Sequence, residues 1–261
     1  MDEMKLNEIE VASPLVVHTA GRDFAASLAE TPQFKAFERS YEALSHDTAA
    51  QQALAAYREK AESLRALLML NAVSETERAE LERLKQDYLT RASVQGYAAA
   101  EAELTALCQQ TAGMISAAIG LNYAASCGAS CCGDAMTKSD NFPPELYVAT
   151  EGLIQNLLAS EPFLAYQQSR AQYKSDAQAH GLIERLSALQ AEFRRMQNYG
   201  SVTQADIEEL GAVQAEVQSN ATLITHASTQ QDAVNFLREI NQEISQLLGV
   251  DFAILAKQST C

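Results

Sequence analysis

The pentapeptides "GLNYA" at residues 120–124 and "GVDFA" at residues 249–253 are similar, and they lie 129 positions apart. The same offset continues toward the amino terminus without a gap and keeps apolar residues opposite apolar residues. The pairs include Phe34 with Phe163, Phe37 with Tyr166, Leu64 with Phe193 and Ile115 with Ile244. An ungapped offset of this length indicates two copies of one structural unit.

The apolar residues of each copy recur at helical spacing. Phe34, Phe37, Tyr41 and Leu44 follow one another at intervals of three and four residues, which places them on one face of a helix. Glycine and proline are scarce, with 11 and 5 residues, while alanine, leucine, glutamine and glutamate are plentiful. The sequence therefore predicts an all-α fold in which each copy is a small antiparallel helical bundle.

Two aligned aspartates precede the longest predicted helices. Asp47 stands before a helix predicted over 48–71, and Asp176 before its counterpart over 177–199. A carboxylate at this position accepts hydrogen bonds from the first amides of the helix, which have no partner inside the helix. We therefore expect these residues to be caps, not catalytic acids.

Each copy also contains a predicted turn and a predicted helix end. Ser74 is followed three residues later by glutamate, which forms a capping box, and Thr203 followed by aspartate is its weaker counterpart. Gly120 and Gly249 end the last long helix, where glycine can adopt the left-handed conformation. Each copy is thus predicted to contain a helical hairpin and a long closing helix.

The repeat defines the predicted domain organisation, and we expect the copies to pair through equivalent faces as a pseudo-dimer. The alternative is two separate units that barely touch, which the lack of a long flexible linker disfavours. The predicted divisions are an amino-terminal extension (1–16), the first repeat (17–124), a cysteine-containing linker (125–145), the second repeat (146–253) and a carboxyl-terminal tail (254–261).

The charge of the chain limits its partners. With 34 acidic and 19 basic residues the formal net charge is -15, which would repel a phosphate backbone, so we expect no direct nucleic-acid binding. The first ten residues, "MDEMKLNEIE", lack the features of a signal peptide, and no apolar run approaches the length of a membrane span. We expect a cytoplasmic protein with no membrane partner.

A cysteine-rich loop, "ASCGASCCG" at residues 125–133, joins the two copies. It carries Cys127, Cys131 and Cys132, and Cys261 lies 129 positions after Cys132, at the equivalent point beyond the second copy. In a reducing compartment such thiols suggest three alternatives: ligands of a metal or iron–sulfur cluster, redox-active or disulfide-forming groups, or a loop without a ligand. Cys108, on the last long helix of the first copy, is predicted to pack in the core.

The sequence lacks the patterns of common enzymes. None of the four histidines has a glutamate three residues before it, which excludes the usual di-metal helical bundle. Phosphate-binding glycine loops, zinc-protease motifs and nucleophile elbows are also missing. His46 and His180 fall near helix starts and are predicted to be surface residues. We therefore expect no catalytic activity.

Several of these segments together resemble the YlbF/YmcA family of small helical bacterial regulators. They are the helix start at 47–51, the capped turn at Ser74, and the closing segments "MISAAIGLNYA" (114–124) and "EISQLLGVDFA" (243–253). The resemblance covers both copies, and the cysteine-rich segment that follows "GLNYA" extends it. This chain departs from the family pattern because it is duplicated and because its cysteine segment lies between the copies.

The resemblance implies a non-enzymatic regulatory adaptor. Its partners would be YlbF/YmcA-like or YaaT-like proteins, and through them RNase Y, with homo-oligomers as a further expectation. It also implies an iron–sulfur cluster, for which the candidate ligands are Cys127, Cys131, Cys132 and Cys261. The alternatives are a redox or metal protein whose primary functional site is the cysteine loop, and a helical oligomerisation module.

Overall fold

The computed structural model describes residues 11–127 and 142–257, and these residues form helices without a β-strand. An isolated bridge joins Ala12 to Ser160. The predicted all-α fold is therefore confirmed. Among the described residues, no helix combines the length and the apolar character that crossing a bilayer requires.

Each copy contributes six helices to the described structure, and every helix has a counterpart about 129 positions away. The first copy contains α1 (Pro14–Ala29), α2 (Pro32–His46), α3 (Thr48–Met69), α4 (Glu75–Leu89), α5 (Ala92–Ile119) and α6 (Tyr123–Ser126). The second contains α7 (Pro144–Ala159), α8 (Glu161–Ser175), α9 (Ala177–Tyr199), α10 (Gln204–Ser219), α11 (Ala221–Leu248) and α12 (Phe252–Leu255).

The helix starts and ends predicted at the two aspartates, the two capping boxes and the two glycines agree with the structure. The helices α3 and α9 begin directly after Asp47 and Asp176, and both capping boxes form. Gly120 and Gly249 have φ values of 73° and 69°, the left-handed conformation expected of them. Helices α1 and α7 begin three and two residues before the starts expected for the repeats, at 17 and 146.

The two copies are joined by an exchange of their first helices. Helix α2 packs against α5, and α8 packs against α11, so these pairs stay within one copy. Helix α1 instead packs against α11 of the other copy, α7 packs against α5, and α1 and α7 pack against each other. The tandem repeats therefore form the expected pseudo-dimer, and one continuous core includes residues of both halves.

Aromatic residues at the centre of the core connect the copies directly. The Phe24 ring lies edge-on to the Phe252 ring with centroids 5.3 Å apart, and Tyr123 contacts the same ring at 5.6 Å. Phe252 is the counterpart of Tyr123, so the two closing segments meet at the middle of the molecule. All three side chains are fully buried.

Two helical hairpins extend from this core. We call them arm 1 (residues 48–89, α3 and α4) and arm 2 (residues 177–219, α9 and α10). Within each arm the two helices pack mainly against each other, and only the base of the arm contacts the neighbouring helices of the core. The arms contribute few buried side chains, as expected for two helices without a third helix to cover their seam.

Candidate functional site

Cys127 ends the short helix α6 and lies against the second copy. Its amide donates to the carbonyl of Tyr123 at 3.1 Å, and its thiol donates to the carbonyl of Leu237 on α11 at 3.7 Å. Beside it, Nε of Arg238 donates to the carbonyl of Ser126 at 2.9 Å. These contacts fix the start of the cysteine loop on α11.

Without a bound metal, the surroundings of Cys127 favour the protonated thiol. Iron–sulfur clusters and zinc are bound by thiolates, whereas burial raises the pKa of the Cys127 thiol to about 12. The thiol is also engaged with a backbone carbonyl. Cys131, Cys132 and Cys261 lie outside the described residues. That these four cysteines bind a metal or cluster stays a prediction.

The segment that leads to Cys261 is bound to α5, whereas the start of the cysteine loop is bound to α11. The last described residue, Lys257, receives a hydrogen bond at its carbonyl from Nε2 of Gln109 on α5, at 2.5 Å. Gln109 is the counterpart of Arg238. The cysteine loop and the carboxyl-terminal tail therefore begin at equivalent places on α11 and α5. Over residues 11–127 and 142–257, no group of three or more His, Cys, Asp or Glu side chains could hold a metal ion.

Cys108 is buried in the core, as expected. Burial raises the pKa of its thiol to about 12, which keeps it protonated and unreactive.

The aspartates before α3 and α9 are caps that also fasten the arms. Oδ1 of Asp47 accepts from the amide of Ala50 at 2.9 Å, and Oδ2 accepts from the hydroxyl of Ser93 at 2.6 Å. The second copy repeats both bonds, with the amide of Ala179 at 2.9 Å and the hydroxyl of Thr222 at 2.7 Å. Each carboxylate thus ties the base of an arm to the long helix of its own copy.

The free ends of the arms expose large apolar side chains. At the tip of arm 1 the side chains of Met69 and Leu70 are 81% and 75% exposed, and at the tip of arm 2 Tyr199 is 85% exposed. Ile183 and Ile207 add exposed apolar surface along arm 2. Met69, Leu70 and Tyr199 lie outside the predicted packing stripes, although the apolar run "LLML" at 67–70 could have indicated the tip of arm 1.

One serine–histidine pair occurs in the second copy, and it has the features of a structural contact. Oγ of Ser169 lies 3.2 Å from Nδ1 of His226 and 2.6 Å from the hydroxyl of Thr229, and it also donates to the carbonyl of Tyr166. Ser169 is buried, so its oxygen is not available to a substrate. His226 is stacked between tyrosine rings, and burial lowers its pKa.

The other three histidines lie at the surface or in contacts between helices. His46 is exposed at the end of α2, as expected, whereas His180 is partly covered and stacks on Tyr173 with centroids 4.4 Å apart. His18 binds the carboxylate of Glu243, which joins α1 to α11. The contacts of His18 and His180 each join two helices.

A comparison with protein families agrees with this architecture. The family described as "Control of competence regulator ComK, YlbF/YmcA" matches the chain twice, at residues 17–120 and 146–248. No curated protein and no solved structure matches the chain. The two family matches correspond to the two packed copies and together cover most of the sequence. The chain therefore belongs to the YlbF/YmcA family of competence regulators, in a tandem duplicated form.

Proposed function

We propose that the protein is a non-enzymatic adaptor that acts through protein–protein contacts. The family to which it belongs is one of regulators, named for the control of competence. An adaptor needs surfaces that stay exposed in the free protein, and the pseudo-dimer provides a packed core with two such extensions.

The exposed tips of the arms are the observation that carries this proposal. Met69 and Leu70 at one tip and Tyr199 at the other leave large apolar surfaces in water, which is unfavourable unless a partner covers them. Aromatic and methionine side chains are enriched in protein interfaces. The open seam of a two-helix arm also accommodates a further helix of a partner.

The proposed partners are YlbF/YmcA-like or YaaT-like proteins, and through them RNase Y in the cytoplasm. The formal charge of -15 supports an indirect effect on RNA, because the protein itself would be repelled by phosphates. Regulation of RNA processing would therefore depend on what the arms bind.

Binding to purified YlbF/YmcA-like and YaaT-like proteins from the same organism tests the proposal. We expect the double substitution Met69→Ser, Leu70→Ser, or the single substitution Tyr199→Ser, to weaken binding at least about ten-fold, as loss of a buried apolar anchor does. Leu247→Ser is the matched control, because Leu247 is exposed on α11 and remote in sequence from either tip. Binding that is unchanged in all tip variants would contradict the role of the arms.

The cysteine loop enters the proposal as an optional cluster site. Cys131, Cys132 and Cys261 remain candidate ligands, and Cys127 would have to give up its bond to the Leu237 carbonyl to join them. Anaerobic purification followed by iron and acid-labile sulfide analysis tests this prediction. Colourless, metal-free protein that still binds its partners would remove the cluster and leave the adaptor function intact.

A further inference from the structure

An open groove of about 570 Å³ runs between α1 and α7, where the two copies meet. The amide of Ala12, just before α1, donates to the carbonyl of Ala159 at the end of α7 at 2.9 Å, so the two helices are antiparallel. Small residues line the middle of the groove: Ala20 and its counterpart Ala149, together with Gly152. They allow the backbone of an occupant to approach closely.

The groove would be symmetric if the copies were identical, but its two ends differ. Both carboxylates, Asp23 and Glu145, lie on the side of the groove where the carboxyl-terminal half of α1 faces the amino-terminal half of α7. Their counterparts, 129 positions away, are two uncharged residues: Gly152, which lines the middle of the groove, and Val16. The end near Glu145 is therefore acidic, whereas among the described residues no charged side chain lines the end near Asn156, which gives a single occupant a defined direction.

The acidic end has no partner within the chain. In the part of the chain that the structure describes, neither Asp23 nor Glu145 forms an ion pair or a side-chain hydrogen bond, and no lysine or arginine lines the groove. Between them, Val148 is 70% exposed. Exposed carboxylates that flank an apolar side chain are complementary to a basic, amphipathic surface.

We infer that this groove binds one basic amphipathic helix of another protein, with its cationic end at Asp23 and Glu145. The face of α7 that lines the groove, from Pro144 to Asn156, spans about 18 Å, which corresponds to about three helical turns. A helix whose amino-terminal turn carries Lys or Arg fits this orientation, because the positive end of its dipole also meets the carboxylates.

Charge repulsion disfavours a second copy of the chain, or another segment of the same chain, as the occupant. A second copy of this chain would bring a net charge of -15 toward the same acidic groove. Of the chain segments outside the described structure, residues 1–10 and 128–141 each contain more acidic than basic residues, and residues 258–261 contain no lysine or arginine. A basic helix from a different protein is the complementary ligand.

A synthetic peptide of about twelve residues, with lysines in its first turn and leucines along one face, serves as the probe. Its binding to the full-length protein is measured by fluorescence anisotropy at low ionic strength. We expect saturable binding that weakens with added salt. A peptide with glutamates in place of the lysines should not bind. No binding at about 1 mM peptide, or equal binding of both peptides, would overturn the inference.

Gly152 offers a substitution that blocks the groove and leaves the fold intact. A Cβ atom at this position meets no other atom within 4 Å, so Gly152→Leu adds a side chain in open space. We expect it to weaken peptide binding at least about ten-fold. Gly181→Leu is the matched control, since Gly181 is also helical and equally open but lies in arm 2. Equal binding by the two variants would contradict the inference.

The carboxylates are tested by a charge exchange. Asp23→Asn with Glu145→Gln should weaken binding of the lysine peptide about ten-fold, and Asp23→Lys with Glu145→Lys should transfer the preference to the glutamate peptide. Sedimentation velocity of the same proteins tests whether a second copy of the chain occupies the groove instead. Self-association that Gly152→Leu abolishes would show that a second copy fills the groove, and it would overturn the inference.

Discussion

The carboxylate of Asp47 accepts a 2.6 Å hydrogen bond from the hydroxyl of Ser93, which lies 46 positions away on α5. The second copy repeats this contact between Asp176 and Thr222 at 2.7 Å, again 46 positions apart. Each bond closes the base of an arm, because the residues between the two partners form the hairpin. Each arm is therefore held to the core by one hydroxyl–carboxylate pair in addition to the helix packing at its base.

Removing the first of these pairs should loosen arm 1. We expect Asp47→Ala to lower the melting temperature by roughly 2–4 °C, since it deletes a helix cap and a long-range hydrogen bond. Hydrogen exchange should increase in residues 48–89 and stay unchanged in arm 2. Asp232→Ala, at an exposed site on α11, is the control. Uniform exchange changes over the whole chain would contradict a local role.

The same carboxylates should make stability depend on acid pH. The hydroxyl of Ser93 and then the amide of Ala50 lower the pKa of Asp47, and Thr222 and Ala179 do the same for Asp176. A lowered folded-state pKa stabilises the fold fully above the unfolded value of about 3.9, and this stabilisation is lost as pH falls through the folded-state pKa. The double variant Asp47→Asn, Asp176→Asn should thus lose less stability than the wild type below about pH 4.

Urea unfolding midpoints between neutral and acid pH measure this difference. The wild type and the double variant should converge as the carboxylates become protonated. Parallel curves that keep their separation down to the lowest pH would mean that these two groups do not titrate as described.

The glycines that end α5 and α11 should tolerate substitution poorly. Gly120 and Gly249 have positive φ angles, so we expect Gly120→Ala and Gly249→Ala to destabilise the protein by about 1 kcal/mol each. At Gly120 the new Cβ would also displace the guanidinium of Arg170, a flexible group.

A glycine inside a helix gives the opposite expectation. Gly211, on α10, has open space around it, and Gly211→Ala should stabilise the protein by about 0.5–1 kcal/mol. Chemical denaturation of the three variants checks both signs. A stabilising effect at Gly120 or Gly249 would refute the left-handed helix ends.

The exchange of α1 and α7 should make the two copies unfold together. Phe252 of the second copy packs on Phe24 of the first, so Phe252→Ala should cost about 3–5 kcal/mol and still give one unfolding transition. Ile254→Ala, at an exposed position in the same short helix, should have little effect. Differential scanning calorimetry distinguishes this outcome from two transitions, which would indicate independently folded copies.

The sequence predicted much of the local structure because capping and periodicity are local properties. The offset of 129 aligned every helix of one copy with its counterpart, and the side chains at Asp47, Ser74 and Gly120 marked helix boundaries correctly. These signals depend on residues a few positions apart, which a single sequence displays directly.

The partners of each helix could not be predicted in the same way. The apolar face of α1 shows that it is buried, but Phe24 could be buried equally well against α5 of its own copy or against α11 of the other copy. Likewise, the spacing of the cysteines could not reveal that Cys127 is directed at the Leu237 carbonyl, a contact 110 positions away. Both features depend on how the copies are oriented.

The pairing of α1 with α7 in one polypeptide has an evolutionary consequence. In a dimer of identical subunits every mutation is inherited by both faces, so a binding surface on the axis must stay self-matched. Tandem fusion removes this constraint, and the chain has already diverged on either side of the axis, with aspartate at 23 against glycine at 152 and arginine at 170 against tyrosine at 41. Fusion of the two units thus allows each side to specialise for its own ligand while the shared interior remains intact.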